Sequence, residues 1–255
     1  MKKTALITGA TSGIGHATAT LLAKNDFDVI ITGRRAERLN KMKDMLIKET
    51  GSGVIPLVFD VRDHAAVIKA LGTLPDKWKK IDVLVNNAGG AEGLDLFHEA
   101  SLEDWETMID ANIKGLLYIS REVVKGMVER NSGHIINIGS VSGREVYEKG
   151  SVYCSTKFAV DAITRGMRID LLKHNIRVTN IEPGMVKTEF SLVRFKGDKE
   201  KADQVYEGVT PLTGEDIAET ILFVVTRPPH VNINDMLVMP TAQASAYYLN
   251  RKISD

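Results

Sequence analysis

The sequence predicts one doubly wound α/β domain over residues 1–255, a seven-stranded parallel sheet with helices on both faces. Two observations carry that expectation. Seven short β-branched runs alternate with longer amphipathic stretches, and the short runs are apolar almost without interruption, as in strands covered on both faces. A glycine-rich turn follows directly on the first run, where such sheets place ligands.

Taken in order, residues 5–8 form the first expected strand, and the stretch after the glycine turn reads as a helix to about Lys24. Residues 29–32 form the second. Leu39, Met42 and Leu46 then recur at helical spacing behind Arg34 and Arg35. Residues 54–59 and 81–85 give the third and fourth strands. Ser101-x-x-Asp104 marks a helix start, a hydroxyl N-cap with an acid three residues on. The fifth strand is 135–138, and Val160, Ile163, Met167 and Leu171 mark a helix within about 153–173. The sixth is 178–181. Thr213-x-x-Asp216 repeats the helix-start signature, and residues 236–239 form the last strand.

Composition narrows the function. At 255 residues, 44% hydrophobic and 26% charged, the chain is neither disordered nor a disulfide scaffold. The 33 basic and 33 acidic residues balance, which removes the global charge of a nucleic-acid-coating protein and leaves only a local patch open. One cysteine, Cys154, cannot form an internal disulfide, so a reducing, cytoplasmic setting is expected. No apolar run is long enough for a membrane span. Lys2-Lys3 with residues 4–7 imitates the start of a signal peptide, but Gly9, Ser12, Gly13, Gly15 and His16 interrupt it. Six scattered histidines form no metal-ligand spacing, so no metal is expected.

The turn reads Thr8-Gly9-Ala10-Thr11-Ser12-Gly13-Ile14-Gly15. Its glycines let the chain turn tightly and let a pyrophosphate approach free N–H groups at a helix start, although glycines after a strand also serve as plain turn punctuation. No G-x4-G-K-[ST] is present, which argues against a P-loop NTPase. After the second strand, where an NAD site places an acid on the ribose hydroxyls, stand Arg34 and Arg35. Two guanidiniums suit a 2′-phosphate, so NADP (NADPH) is favoured, the alternative being a solvated helix start. Asp60 and Val61, and Asn87-Ala88-Gly89, end the third and fourth strands at the same edge. Asp60 suits an adenine amino group; either segment also reads as a turn former.

Tyr153 and Lys157 stand at i and i+4, stacked on one helix face, so an ammonium, together with a positively charged nicotinamide, is expected to lower the phenol's pKa toward that of a useful base. Ser140 closes the fifth strand, placed to hydrogen-bond a substrate oxygen. Asn112 is a poor helix former inside a helical stretch. Each alone has an ordinary reading as surface pair, strand end or kink. The combination with the glycine turn is specific.

Over essentially its whole length the sequence resembles the short-chain dehydrogenase/reductase family, whose Rossmann fold the strand pattern matches. Gly9, Gly13 and Gly15 match the family's cofactor turn, residues 86–89 its strand-four motif, and Asn112, Ser140, Tyr153 and Lys157 its catalytic tetrad. Pro183-Gly184-Met185-Val186-Lys187-Thr188 resembles the segment along the nicotinamide, with Thr188 near the carboxamide. Cys154 departs from the usual alanine or glycine. The resemblance implies that Tyr153 transfers the proton, Lys157 tunes it and holds the ribose, Ser140 polarises the substrate oxygen and Asn112 positions a water. It also implies a homotetramer, built on the helix near 153–173 and its neighbour near 101–130. Residues 239–249 are expected either to complete a second interface or to cover the substrate pocket.

Residues 189–198 and 230–234 resemble the branch that oxidises small 3-hydroxy acids, including serine and allo-threonine, with NADP. Residues 185–210 are expected to form a substrate lid. Arg194 or Lys196 on it, or Arg144 elsewhere, would bind the carboxylate. A 3-oxoacyl-carrier-protein reductase or a broad carbonyl reductase would use the same tetrad. A non-catalytic NADP-sensing regulator would have no reason to keep it.

Overall fold

Ala5 and Ile7 of strand β1 (Lys3–Ile7) face one side of the sheet and Leu6 the other, and all three are fully buried. Side chains alternate along a strand, so a run apolar at every position demands cover on both sides. In the computed structural model, which describes residues 2–252, six more strands run parallel to β1: β2 (Phe27–Gly33), β3 (Val54–Val58), β4 (Val83–Asn86), β5 (Gly133–Ile138), β6 (Ile176–Pro183) and β7 (Asp235–Val238). Their order is β3-β2-β1-β4-β5-β6-β7. Each lies within two residues of the run that predicts it. Pro56, which has no N–H to donate, sits in edge strand β3, as the ladder requires.

The helices are α1 (Gly13–Lys24), α2 (Ala36–Thr50), α3 (His64–Gly72), α4 (Asp76–Lys79), α5 (Leu102–Ile109), α6 (Leu116–Glu129), α7 (Ser151–Asp170), α8 (Phe190–Arg194), α9 (Lys199–Gln204) and α10 (Gly214–Val225). On the face of Ala5 and Ile7, Leu22 of α1, Leu39, Met42 and Leu46 of α2 and Ile217 and Ile221 of α10 close one core. On the face of Leu6, Val67 of α3, Trp78 of α4 and Ile119, Val123 and Met127 of α6 close the other. The 3.6-residue spacing of these side chains is what turns one stripe of each helix toward the sheet.

The two expected helix starts differ. Thr213 caps α10 in a full capping box, accepting from the Asp216 N–H while Asp216 accepts from the Thr213 N–H at 2.7 Å. Ser101 precedes α5 but its hydroxyl caps nothing. Asp104 is drawn instead to the Lys196 ammonium, 2.9 Å away across the chain. Strand order reverses between β1 and β4, so the carboxyl ends of these two strands diverge into a crevice.

Candidate active site

At the end of β1 the chain turns with Gly9 at φ 66° and Gly13 at φ 53°, backbone conformations that side chains with a Cβ rarely adopt. Gly15 is fixed by space instead: a Cβ there would lie 2.5 Å from the Gly9 carbonyl oxygen and from Asn87 Nδ2. Thr8 stitches the turn to the end of β4, its hydroxyl accepting from the N–H groups of Asn87 at 3.0 Å and Ala88 at 2.9 Å. Asn87 returns its amide to the Thr8 carbonyl at 2.8 Å. Ser12 begins α1 without a side-chain cap, and no acid stands in the first turn. The first N–H groups of α1 therefore have no side-chain acceptor, which suits an anion.

Arg35 lies over this turn, donating to Thr11 Oγ1 at 2.7 Å, Ser12 Oγ at 2.9 Å and Glu189 Oε2 at 2.7 Å. Arg34 extends outward, 3.8 Å from Asp60. Burial would raise the Asp60 pKa, but Arg62, donating at 2.7 Å, and Arg34 hold it below the usual range. Asp60 thus already has cationic partners. Val61 packs beneath Gly115, where a Cβ would meet its Cγ2 at 2.7 Å.

Tyr153 and Lys157 are buried on one face of α7, with the Lys157 ammonium 5.9 Å from the phenol ring centre. Lys157 Nζ donates to the Ile138 carbonyl at 2.9 Å, which ties α7 to the end of β5. The protein's own groups alone do not produce the expected lowering of the phenol's pKa. Burial pushes Tyr153 up, opposed only in part by Ser140 and Arg194, and burial pulls Lys157 down to about 8. Desolvation disfavours both charges, and at this separation the ammonium does not overcome it.

Ser140 accepts from the Ser142 N–H at 3.1 Å and lines the cavity beside Tyr153. Asn112 lies in a π-helical turn (Asp110–Gly115) between α5 and α6 and is buried behind the cavity wall. Its side chain accepts from Gly90 N–H and donates to Thr156 Oγ1, both at 2.9 Å. The π-turn, with its displaced hydrogen-bond ladder, explains how asparagine is accommodated there.

One cavity of about 620 Å³ joins these groups, running from Gly9, Thr11, Ser12, Gly13, Ile14, Arg34 and Arg35 past Asp60, Val61 and Asn87–Gly89 to Ser140, Tyr153 and Lys157. Pro183, Gly184, Val186 and Thr188 form its far wall; Gly15 lies behind the turn. Of the three cations proposed for a substrate carboxylate, only Arg194 lines it, its guanidinium 5.6 Å from the Tyr153 ring and 5.5 Å from that of Tyr147. Lys196 is engaged by Asp104. Arg144 donates to the buried Glu182 at 2.8 Å and does not reach the cavity. Both are corrections: opposite charges outside the cavity take up these side chains.

Sequence reasoning missed Arg38, which donates to Glu189 Oε1 at 2.6 Å, and Glu189 itself. Gln243 accepts from the Met185 N–H at 2.7 Å and, with Ala246, covers one side of the cavity; both belong to residues 239–249, for which covering the pocket is one of the two expectations. The only available signals were Arg38 one helical turn from Arg34 and Arg35, and Glu189 directly after Thr188.

Comparison with known proteins gives concordant results. The profile of a family described as short chain dehydrogenase matches residues 3–198. An NADP-dependent 3-hydroxy acid dehydrogenase, YdfG, of Salmonella typhi is 53% identical over 242 residues, covering 94% of this chain and 96% of that protein. A serine 3-dehydrogenase of Rhizobium radiobacter is 46% identical over 246 residues, covering 96% and 97%. The closed form of a serine dehydrogenase complexed with NADP+ superposes with a TM-score of 0.92 at 48% identity, covering 98% of this chain and 100% of that one.

Proposed function

The chain belongs to the short-chain dehydrogenase family, and from that premise we propose that it is an NADP-dependent oxidoreductase acting on a small 3-hydroxy acid such as serine or allo-threonine. The observation that carries the substrate class is Arg194. A guanidinium 5.6 Å from the Tyr153 ring puts a positive charge beside the proton-transfer group, where a carboxylate near the reacting carbon would lie. The relatives that share this architecture are themselves named for hydroxy-acid or serine substrates.

NADP fits the residues present. The turn of Gly9 and Gly13 and the uncapped start of α1 suit the pyrophosphate; Arg34, Arg35 and Arg38 offer cations where an NAD site would carry an acid. When bound, NADP+ supplies the hydride acceptor and a positively charged ring. Tyr153 takes the substrate hydroxyl proton during oxidation and returns it during reduction. Ser140 holds the substrate oxygen, Lys157 supports the phenolate and the ribose, and Asn112 orients a water that leads its proton to solvent. Residues 185–210 serve as the lid, with Arg194 at the end of α8. A homotetramer is proposed as well, on apolar residues left exposed on α5–α7: Leu102, Ile109, Leu117 and Phe158. A cytoplasmic setting suits the single, buried Cys154.

Steady-state assays with L-serine, L-allo-threonine, 3-hydroxypropionate and an uncharged secondary alcohol test this reading. Wild type is expected to reduce NADP with the acids. Arg194→Ala is expected to raise KM for the acids about 10- to 100-fold, the worth of a charge-assisted bond, and to spare the neutral alcohol. Tyr153→Phe should lower turnover on every substrate by about 10²–10⁴-fold. Turnover confined to the neutral alcohol would overturn the substrate class.

A further inference from the structure

Glu189 stands where the lid begins, as the residue before α8, and its carboxylate reaches back across the cavity mouth to the start of α2. Each oxygen takes one guanidinium: Arg35 Nη1 at 2.7 Å and Arg38 Nη1 at 2.6 Å. Burial would raise the Glu189 pKa, but the two arginines outweigh it and hold the carboxyl ionised. Arg35 Nε and Nη2 donate to the hydroxyls of Thr11 and Ser12, so its guanidinium plane is fixed over the glycine turn. A carboxylate accepting from two arginines does what a phosphate monoester does with two of its oxygens. The protein thus holds an anion of its own on two of the three cations that the preceding reading, on which this inference rests, assigns to the 2′-phosphate.

Two anions cannot share Arg35 without cost. A phosphate brought to Nη1 must either displace Glu189 or lie beside it, and like charges at that range repel. A cofactor without the 2′-phosphate meets no such conflict. We propose that Glu189 is a cofactor-selectivity residue, an internal carboxylate that competes with the 2′-phosphate of NADP for the guanidinium of Arg35 and so limits the advantage that phosphate confers. The opposite role is a brace, in which Glu189 holds Arg35 in its binding posture. The two roles predict opposite signs when the charge is removed.

Isothermal titration of the full chain with adenosine 2′,5′-bisphosphate and with AMP reads the 2′-phosphate directly, without turnover. Glu189→Gln is expected to tighten the bisphosphate about threefold to fivefold, the scale of half-exposed ion pairs, and to leave AMP within about twofold. Glu189→Ala, which also removes the amide acceptor, should move in the same direction. Weaker or unchanged bisphosphate binding in both variants would overturn the inference, as would equal tightening of both ligands. Wild type provides the separate control. Bisphosphate preferred over AMP supports the NADP reading, and against that background a failure in the variants sinks only the role of Glu189. No preference in wild type or in either variant would remove both.

Discussion

At Lys157 a single side chain carries opposing demands from stability and chemistry. The protein buries the ammonium and gives it one carbonyl partner, Ile138, at 2.9 Å. Burial lowers its pKa from 10.5 to about 8, so between those values the unfolded chain binds the proton that the folded one has lost. Stability from this group therefore rises from pH 8 to pH 10.5; below pH 8 both states are protonated and the burial penalty is constant. Urea unfolding at pH 7, 8.5 and 10 should show the stability of wild type relative to Lys157→Met rising with pH, by on the order of 2 kcal/mol. A flat difference would mean that the ammonium is solvated. The Tyr-x-x-x-Lys spacing was readable in the sequence because it is local. The pKa directions were not, because they depend on how much solvent β5 and α8 exclude.

Among the elements, the two hydroxyl-x-x-acid segments show how far a local signature reaches. At Thr213 both reciprocal bonds form, and Thr213→Ala should cost about 1 kcal/mol in chemical denaturation. A loss under a few tenths would mean that water replaces the cap. At Ser101 the same signature fails because Lys196, far along the chain, takes Asp104. The lid follows a similar logic. Expected as a substrate lid, residues 185–210 contain α8 and α9, with Asp198 capping α9 through the Lys201 N–H at 3.1 Å. Arg194 closes α8, and its N–H and carbonyl groups bind Gly93, donating from Nε at 3.2 Å and accepting at 2.9 Å. That pairing places the guanidinium over Tyr153; nothing in the spacing of Arg194 within its own segment distinguishes it from Lys196.

For the whole molecule, apolar surface left over after the two cores are closed is the quantity that bears on assembly. Leu102, Ile109, Leu117 and Phe158 are exposed on α5–α7, and burial of such a face against a copy of itself would remove it from water. Sedimentation should report a tetramer for wild type and a smaller species for Phe158→Glu, with unchanged circular dichroism; a monomeric wild type would refute the proposed assembly. The sequence by itself determined the parallel sheet, the glycine turn, the tyrosine–lysine pair and the choice of cations over an acid after β2. Each is written in residues close together along the chain, where strand alternation, helical repeat and glycine's freedom at positive φ act directly. Tertiary structure alone decided which charges remain for ligands. Arg144 is committed to Glu182 and Lys196 to Asp104, both outside the cavity; Arg35 lines the cavity while paired with Glu189, which also takes Arg38, and Arg194 faces the cavity. Those pairings join residues up to 154 positions apart, and an ion pair is fixed by distance in space, which local sequence does not encode.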